Sequence, residues 1–292
     1  MNLQPPPIQL PTPAVLEATL RHRLIQYNAI RWVATTGSTN TDLLHDLKQA
    51  NATPLTPCLL GSHEQTQGKG RAGRHWANQG GHHLMFSCGF TTTLEANLLP
   101  AVAPYAGLFA CLALRRLLPE TLQSQLTLKW PNDLEWQGSK LAGILVEAAR
   151  VPPYHNAANR LVVIGIGINL AGAASLGKAL DRHIADWQTI EQQARQADVK
   201  HCVAGADDLV TPIANQWVDM MREINRDGLR NLAPAYQQVD GLFNRKVNIM
   251  DNEQLLLSGS AKGLDARGAL VVEDAQHTRH AIVVGEVSVR KS

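Results

Sequence analysis

The segment from residue 97 to residue 118 constrains the fold more than any other, because it is apolar on almost every side of a helix. Such a helix has to be covered all round, either inside a large domain or in a membrane. The chain has no run of about 18 consecutive apolar residues, the length that a membrane span needs. Its 292 residues suffice for one large domain and one small one. We therefore expect a core helix in a globular protein with no membrane partner.

Cysteine and charge usage narrow the class of protein. The four cysteines, Cys58, Cys88, Cys111 and Cys202, are far apart and form no Cys-x-x-Cys pair, which argues against a disulfide framework and a zinc site. The N-terminus lacks the basic and apolar regions of a signal peptide, so we expect a cytoplasmic location. The net charge of +2 gives no overall electrostatic footprint for nucleic acid.

The chain divides into three segments that differ in composition and in predicted secondary structure. Five prolines in residues 2–13 predict an extended, poorly ordered piece, and we assign residues 1–29 to a proline-rich arm. Residues 30–241 mix strand-like runs with helical segments, which predicts an α+β domain with a mixed, mostly antiparallel sheet. From Arg245 onward, short β runs alternate with Gly and Asp turns, which predicts a small β-barrel at 242–292.

The strongest local signal is the run from Gln65 to Trp76, QTQGKGRAGRHW. Its glycines let the backbone approach a ligand closely, while Lys69, Arg71 and Arg74 supply charge and forked donors that suit phosphate and carboxylate groups. The run therefore predicts an anion-binding loop. The alternative is a merely basic, flexible loop without a ligand.

The same glycines satisfy the GxGxxG pattern of dinucleotide-binding folds. A dinucleotide loop opens a helix and is followed by an acidic residue about 20 positions later. Here the turn-forming residues Asn78, Gly80 and Gly81 follow the loop, and threonines at 91–93 occupy the expected acidic region. The surroundings therefore disfavour a dinucleotide site.

A second signal is the pair of segments KWPNDL at 129–134 and KLAGILVE at 140–147. A strand that ends at Lys129 is followed by a proline turn, and the next apolar strand begins just after Lys140. This arrangement predicts that Lys129, Asp133 and Lys140 lie at one end of a hairpin. The alternative is a hairpin that carries solvated charges without a function.

The third signal is Gly165-Ile166-Gly167-Ile168-Asn169, in which glycine alternates with isoleucine. One face of such a strand is bare, so a flat ligand could lie against the backbone and Asn169 could hydrogen-bond it. A strand packed closely under a helix would need the same pattern, and the sequence leaves both interpretations open.

Taken in order, these motifs resemble those of the biotin protein ligases. The resemblance covers residues of about 30 to 290, and the KWPNDL and KLAGILVE pair is its most specific part. It is carried by the segments Gly37-Ser38-Thr39-Asn40, Gln65 to Trp76, 129–134, 140–147, 165–169 and Gly285-Glu286-Val287-Ser288-Val289-Arg290. Lipoate ligases resemble this family in fold but are not expected to carry that pair.

The resemblance implies a fold, a reaction and its partners. The fold would be a class II synthetase-like ligase domain followed by an SH3-like barrel. The biotin carboxylate would attack the α-phosphorus of ATP, with Mg²⁺ on the phosphates, to give biotinyl-5'-AMP and diphosphate. A lysine of a biotin carboxyl carrier protein would then take the biotinyl group. A homodimer is compatible with this assignment.

The resemblance also implies roles for individual residues. Lys140 would bridge carboxylate and phosphate, Arg71 would hold the adenylate at the reacting centre, and Asp133 would orient the acceptor lysine or accept a proton from it. The biotin ureido end would contact Ser38, Thr39, Gln65 and Gly68. The adenylate and the magnesium environment would involve Arg74, Trp76, Asn132, Asn169 and Arg290. Further ligand-binding positions would be Asn40, Lys69, Lys129, Gly143, Gly165 and Gly167.

Two places depart from the family pattern. Lys69 stands where a first arginine is common, which keeps the charge but loses the forked donor. His82-His83-Leu84-Met85 replaces a stretch that more often reads Gly-Asn-Leu-Tyr, and neither histidine receives a role. A metal site at the two histidines is disfavoured because adjacent residues of a strand face opposite sides, so no metal ligands are assigned.

Two other functions compete with a ligase. A biotin-sensing repressor needs a winged helix-turn-helix of about 60 residues ahead of the ligase domain, whereas only 29 residues, proline-rich at the start, precede it here. We therefore expect no DNA binding. A biotin-binding module without catalysis would not need Lys129, Asp133, Lys140 and the arginine loop together.

Overall fold

The computed structural model describes residues 10–49, 57–78, 80–150, 160–202, 204–251, 254–283 and 288–291. Its strands are β1 (Ala29–Thr36), β2 (Cys58–Gln65), β3 (His83–Thr92), β4 (Leu126–Lys129), β5 (Asp133–Trp136), β6 (Ser139–Arg150), β7 (Arg160–Asn169), β8 (Lys246–Asp251), β9 (Gln254–Leu264), β10 (Leu270–Glu273), β11 (Arg279–Ile282) and β12 (Ser288–Lys291). Its helices are α1 (Pro13–Arg23), α2 (Thr39–Gln49), α3 (Val102–Arg115), α4 (Glu120–Gln123), α5 (Ala173–Leu180), α6 (Trp187–Ala197), α7 (Ala206–Asp227) and α8 (Leu232–Tyr236).

The large domain is built on a seven-stranded sheet in the order β1-β2-β3-β7-β6-β5-β4. Only the β1–β2 pair is parallel; the other neighbours in this sheet run antiparallel. The predicted α+β class with a mostly antiparallel sheet is therefore confirmed. The central strands β3 and β7 place Gly165 and Gly167 in the middle of the sheet, opposite Ser87 and Met85.

Helices cover both faces of this sheet. On one face α3 packs against α7, and the Trp217 indole donates to the carbonyl oxygen of Ala106 at 3.0 Å. On the other face α2 buries Leu43 and Leu47 against β2 and β7. Ala96–Arg115, which is α3 with the preceding 3-10 turn, is long and apolar enough to span a membrane, but it is mostly buried inside the domain. It has the environment of the predicted core helix.

Helix α1 corrects the prediction of an N-terminal arm over residues 1–29. Residues 1–9 lie outside the described part, but α1 packs into the main core through Leu16 and Leu20. Its Glu17 and Arg21 side chains contact the outer edge of β1. Glu17 accepts from the backbone N–H of Trp32 at 2.9 Å, and Arg21 donates to the carbonyl oxygen of Ile30. The proline at the first helical turn starts this helix rather than prolonging an extended chain.

The opposite edge of the sheet, β4, contacts the junction between the two domains. The N–H of Leu128 donates to Val239 at 2.7 Å, and the N–H of Gly241 donates to Leu128 at 2.9 Å. These bonds fix the end of the large domain against its edge strand β4. The domain boundary near Gly241 stays a prediction.

The C-terminal part is a separate five-stranded sheet in the order β11-β10-β9-β8-β12. The predicted short β runs are present and pair antiparallel throughout, but β11 and β12 do not pair among the described residues, so closure into a barrel stays a prediction. The sheet packs on the large domain, where the Trp130 indole donates to the carbonyl oxygen of Gly268 at 3.2 Å. This contact joins the KWPND turn to the small domain.

Candidate active site

One cavity of about 530 Å³ brings the three sequence motifs together. The glycine loop, the β4–β5–β6 hairpins and the end of β7 all contribute to its wall. The predicted site residues that line it are Ser38, Thr39, Asn40, Gln65, Lys69, Arg71, Arg74, Trp76, Lys129, Asn132, Asp133, Lys140, Gly143, Gly165, Gly167, Asn169 and Arg290. Residues distributed over most of the chain thus converge on one cavity.

One end of the cavity, which we call the polar end, is lined by Thr39, Asn40 and Gln65, with Ser87 hydrogen-bonded behind them. All four side chains are buried. Gln65 Oε1 accepts from the Thr39 backbone N–H at 2.7 Å and from Thr39 Oγ1 at 3.1 Å. Ser87 Oγ lies 2.7 Å from Thr39 Oγ1 and 2.6 Å from Asn40 Oδ1. Such a connected, buried network holds hydrogen-bonding groups in fixed positions.

The glycines of β6 and β7 lie under side chains. A Cβ atom at Gly165 would fall 2.1 Å from Asn40 Oδ1, and one at Gly167 would fall 2.5 Å from the Trp76 indole. A Cβ at Gly143 would lie 3.1 Å from both Trp76 and the Lys140 ammonium. Gly165 therefore fits the close-packing interpretation, because it accommodates α2. The bare surface at Gly167 and Gly143 is where a flat group lies, and in this structure that group is Trp76.

The other end of the cavity, which we call the cationic end, is built on the β4–β5–β6 hairpins. Lys140 Nζ lies 2.6 Å from Asp133 Oδ1 and 5.6 Å from the centre of the Trp76 ring. Lys129 Nζ lies 3.8 Å from Glu135 Oε1. The predicted gathering of Lys129, Asp133 and Lys140 is thus present. Lys140 and Asp133 remain about a quarter exposed, so a ligand can reach both.

Arg71 connects the glycine loop to the cationic end. Its Nη1 lies 3.3 Å from Asn132 Oδ1, while Asn132 Nδ2 donates to the carbonyl oxygen of Ile144 at 2.7 Å. Burial lowers the pKa of the Arg71 guanidinium, an effect that the charge of Asp133 opposes. A partly desolvated guanidinium interacts more strongly with an anion than one in water does. Lys69 and Arg74, in contrast, are exposed on the loop.

The glycine loop folds as a small hairpin and not as the start of a helix. Its two sides are joined by bonds from the Trp76 N–H to Gly68 at 2.9 Å and from the Gly70 N–H to Arg74 at 2.7 Å. Gly73 has a φ of 68°, which suits glycine. Gly68 packs against Trp76 and is the one predicted ligand residue outside the described cavity lining. The loop leads directly to β3, which agrees with the rejection of a dinucleotide site.

Asn169 ends β7 inside the cavity wall, as predicted. Its Nδ2 donates to the carbonyl oxygens of Lys140 at 3.2 Å and Ala185 at 3.1 Å. Its buried Oδ1 has no hydrogen-bond partner within the described part of the chain. An oxygen of this kind suits a donor or a cation that arrives with a ligand.

Sequence reasoning missed a wall segment and a buried serine. Residues 180–184 and Leu176 line the cavity, and the N–H of Lys140 donates to His183 at 2.9 Å. The spacing of Leu176, Leu180 and Ile184 by four residues was the available signal for this segment. No sequence feature indicated a role for Ser87 beyond its position on the alternating strand β3.

His82 and His83, in the stretch that departs from the family pattern, lie near the site. His83 is buried, and its ring stands edge-on to Trp76 with centroids 6.4 Å apart. The carbonyl oxygen of His82 accepts from the N–H of Leu170 at 2.8 Å. The described residues contain no group of three or more potential metal ligands.

Comparison with known proteins gives consistent matches. The chain is 29% identical over 242 residues to a biotin--[acetyl-CoA-carboxylase] ligase from Paracoccus denitrificans, covering 78% of this chain and 90% of that one. It is 27% identical to the bifunctional ligase/repressor BirA of Escherichia coli, covering 86% and 70% of the two chains. In fold it resembles the Aquifex aeolicus biotin protein ligase in complex with biotin and ATP, at 21% identity and a TM-score of 0.66, covering 91% and 100%.

Two family profiles match separate parts of the chain. The profile of the biotin/lipoate A/B protein ligase family matches residues 32–169. The profile of the biotin protein ligase C terminal domain matches residues 242–290. Together they cover more than half of the chain, in the order of the two predicted domains. The chain therefore belongs to the biotin protein ligase family.

Proposed function

We propose that this protein is an ATP-dependent biotin protein ligase, which forms biotinyl-5'-AMP and transfers the biotinyl group to a lysine. The observation that carries the proposal is that one cavity joins the buried polar end to the cationic end. The polar end suits the ureido ring, which has both N–H and C=O groups. The cationic end suits a carboxylate and a phosphate that have to react with each other.

The first half-reaction joins two anions, and Lys140 is placed to assist it. The carboxylate oxygen of biotin forms a bond to the α-phosphorus while the bond from that phosphorus to diphosphate breaks. A cation between the two groups reduces their repulsion and stabilises charge that develops during transfer. The pair with Asp133 holds the Lys140 ammonium at the hairpin end before ligands bind. Arg71, on the loop, is the second cation directed to this end.

The second half-reaction needs a neutral lysine amine. Its nitrogen attacks the biotinyl carbonyl carbon, AMP leaves, and the attacking nitrogen loses a proton. Asp133, partly exposed beside Lys140, is the carboxylate placed to orient that amine. We propose a biotin carboxyl carrier protein as the acceptor, a partner class that the names of the relatives suggest.

Magnesium is proposed as a companion of ATP and not as a resident ion. Its preferred ligands are oxygens, and it is commonly held by substrate phosphates with one or two protein groups. The unpartnered Oδ1 of Asn169 fits this environment. When bound, the ion would supply positive charge to the phosphates.

A direct test uses the purified protein with ATP, magnesium, biotin and a biotin-acceptor domain. We expect a covalent mass increase on one acceptor lysine, which is absent when ATP is omitted. An acceptor whose target lysine is replaced by arginine is the matched control. An unmodified acceptor together with no biotin-dependent exchange of diphosphate into ATP would contradict the proposal.

Two alternatives can be tested with the same protein. A repressor function is suggested by the name of the Escherichia coli relative. Against it, α1, the one helix described before β1, is packed into the core through Leu16 and Leu20. We expect no sequence-specific retention of duplex DNA in a gel-shift assay with biotin and ATP.

The second alternative is a lipoate ligase. Lipoate as the ligand would leave the buried groups of the polar end without partners, so it should not support diphosphate exchange.

Location and assembly are further proposals. The four cysteines are free thiols, which supports the cytoplasmic location proposed from the sequence. We also propose a homodimer, which is compatible with the family. Sedimentation of the purified protein with and without biotin and ATP would measure the oligomeric state.

A further inference from the structure

The small domain reaches the cavity wall through strand β12. Val289 and Arg290 of this strand line the cavity together with Trp130, which belongs to the KWPND turn of the large domain. Strand β12 pairs with β8, β8 with β9 and β9 with β10, so the four strands form one hydrogen-bonded sheet. The position of Arg290 at the cavity therefore depends on how that sheet is placed on the large domain.

The turn between β9 and β10 packs directly against the large domain. Gly268, in this turn, has a φ of 78°, a left-handed conformation that favours glycine. A Cβ atom there would fall 2.7 Å from Cβ of Ala101 and 3.1 Å from Cδ2 of Leu232, both in the large domain. Asp265 Oδ1 accepts from the backbone N–H of Ala269 at 2.9 Å, which keeps the turn in shape. The contact thus leaves no room for one further methyl group.

Trp130 contacts this turn with its one polar side-chain group. The side chain is buried, and its indole N–H donates to the carbonyl oxygen of Gly268 at 3.2 Å. Apolar residues of both domains also form one continuous core, but hydrophobic packing has no preferred direction. A hydrogen bond is directional, and a buried donor that loses its acceptor is costly. The bond therefore favours one position of the turn among those that packing alone allows.

The KWPND turn that carries Trp130 is itself held within the large domain. The backbone N–H of Ile144 donates to the carbonyl oxygen of Asn132 at 3.0 Å, and Asn132 Nδ2 donates to the carbonyl oxygen of Ile144 at 2.7 Å. The position of Trp130 is thus given by its own domain, and the position of Gly268 follows from it. The bond places the small domain and not the KWPND turn.

We propose that Trp130 is a positioning residue, which acts through Gly268 to place the small domain so that Val289 and Arg290 complete the cavity wall. This inference rests on the proposed function, in which Arg290 belongs to the adenylate environment. Trp130 acts through the position of another side chain. Its loss should therefore affect the use of ATP and leave biotin binding at the polar end unchanged.

The test compares two buried tryptophans that each donate an indole N–H to a backbone carbonyl oxygen. Trp130→Phe removes the bond to Gly268, and Trp217→Phe, the matched control, removes the bond to Ala106 inside the large domain. In diphosphate exchange we expect Trp130→Phe to raise the KM for ATP about 3- to 10-fold, the range of one hydrogen bond. The Kd for biotin, measured by calorimetry, should stay near the parent value. Trp217→Phe should change neither quantity.

A double-mutant cycle shows whether Trp130 acts through Arg290. In the Arg290→Ala background, Trp130→Phe should change the KM for ATP by less than about twofold, because the side chain that it positions is already absent. Additive effects of the two changes, or a parent-like KM for ATP in Arg290→Ala, would overturn the inference.

A second pair of variants decides the question should Trp130→Phe fail to fold. Gly268→Ala places a methyl group against Ala101, whereas Gly263→Ala has the same left-handed strain, at a φ of 86°, and meets only Phe243, at 3.8 Å. The KM for ATP should rise with Gly268→Ala and stay near the parent value with Gly263→Ala. Equal values in these two variants would contradict the proposed placement.

Hydrogen exchange gives a readout that needs no reaction. Backbone amides of the turn at 264–270 should exchange faster in Trp130→Phe than in the parent, and at the parent rate in Trp217→Phe. Unchanged exchange at this turn, or an equal rise in the KM for ATP in Trp217→Phe, would overturn the inference. Absence of biotin-dependent diphosphate exchange in the parent protein would instead contradict the proposed function itself.

Discussion

The two ends of the cavity differ in how far they are assembled before a ligand arrives. At the polar end, Thr39, Gln65 and Ser87 are buried and already hydrogen-bonded to one another. At the cationic end, Lys140 is partly exposed, and Arg74 of the adjoining glycine loop is exposed. A rigid network recognises one arrangement of donors and acceptors, whereas long cationic side chains can follow charge as bonds change. Changes at the polar end should therefore affect binding, and changes at the cationic end should affect rate.

The largest effect is expected for Lys140→Ala, at the cationic end. Adenylate formation should slow by roughly 100-fold or more, since preorganised charge at a reacting centre commonly contributes that much. Transfer from chemically supplied biotinyl-5'-AMP should suffer less, because by then the two anions are joined. Rapid quench times the two half-reactions separately. Lys140→Arg should rescue only in part, since a planar fork cannot occupy the position of a point charge.

Lys48→Ala is the control for that experiment, because Lys48 is exposed at the end of α2, outside the cavity lining. Equal losses in both half-reactions of Lys140→Ala, or an unchanged first one, would show that Lys140 is not the bridging cation. Biotin affinity in the absence of ATP should stay within about threefold of the parent if the two ends act separately.

Arg71→Ala should affect retention of the intermediate. The variant is expected to form biotinyl-5'-AMP but to release it about 10- to 100-fold faster, because a charge-assisted hydrogen bond contributes more than a neutral one. Stopped-flow displacement of the adenylate measures this rate. Arg74→Ala, on the exposed side of the loop, should have a smaller effect. Parent-like release from Arg71→Ala would remove Arg71 from the adenylate site.

Ser87→Ala tests the polar end. The change deprives Thr39 Oγ1 and Asn40 Oδ1 of a close partner, so we expect biotin binding to weaken about 10-fold with the KM for ATP unchanged. Calorimetry gives the first quantity and diphosphate exchange the second. Ser62→Ala is the matched control, at a fully buried serine of β2 that hydrogen-bonds Glu64 and not the polar end. A change in kcat alone would break the proposed separation of binding from rate.

The smallest effect concerns stability at the domain junction, outside the described cavity lining. Burial raises the pKa of Asp240, at the domain junction, to about 6. An unfolded aspartate titrates near 3.9, so the folded protein should lose stability as the pH rises from about 4 through 6. Asp240→Asn should remove roughly 1 to 2 kcal/mol of that loss, measured by urea unfolding at pH 4.5 and 7.5. Biotin affinity should not change, and an identical pH dependence in parent and variant would contradict the assignment.

Contacts within a local motif could be predicted from the sequence, whereas contacts between residues distant in sequence could not. The hairpin of Lys129, Asp133 and Lys140 was predicted because turn residues fix which side chains meet over a short stretch. The position of Trp76 over Gly167 joins residues 91 apart, and composition gives no signal for it. The sequence alone could not decide between close packing and a ligand at Gly165. That choice depended on Asn40 of α2, which arrives from another part of the fold.

Helix α1 lies in a segment that was predicted to be an extended arm. Prolines near the start suggested an extended arm, yet Pro13 begins a helix whose Leu16 and Leu20 enter the core. The apolar spacing of these leucines was a helical signal, but it was outweighed by the proline count. Residues 170–206 received no elements from the sequence, although they hold α5 and α6. The spacing of Leu176, Leu180 and Ile184 was the signal that could have found the wall segment.

The pairing of α1 with β1 has a consequence for the way in which other chains can attach. Recruitment of a foreign strand to a sheet requires a row of free backbone donors and acceptors at its border. Here Glu17 and Arg21 already occupy backbone groups of Trp32 and Ile30, and the opposite border is tied to Val239 and Gly241. These bonds leave fewer free backbone groups at the two borders of the seven-stranded sheet for pairing with a foreign strand.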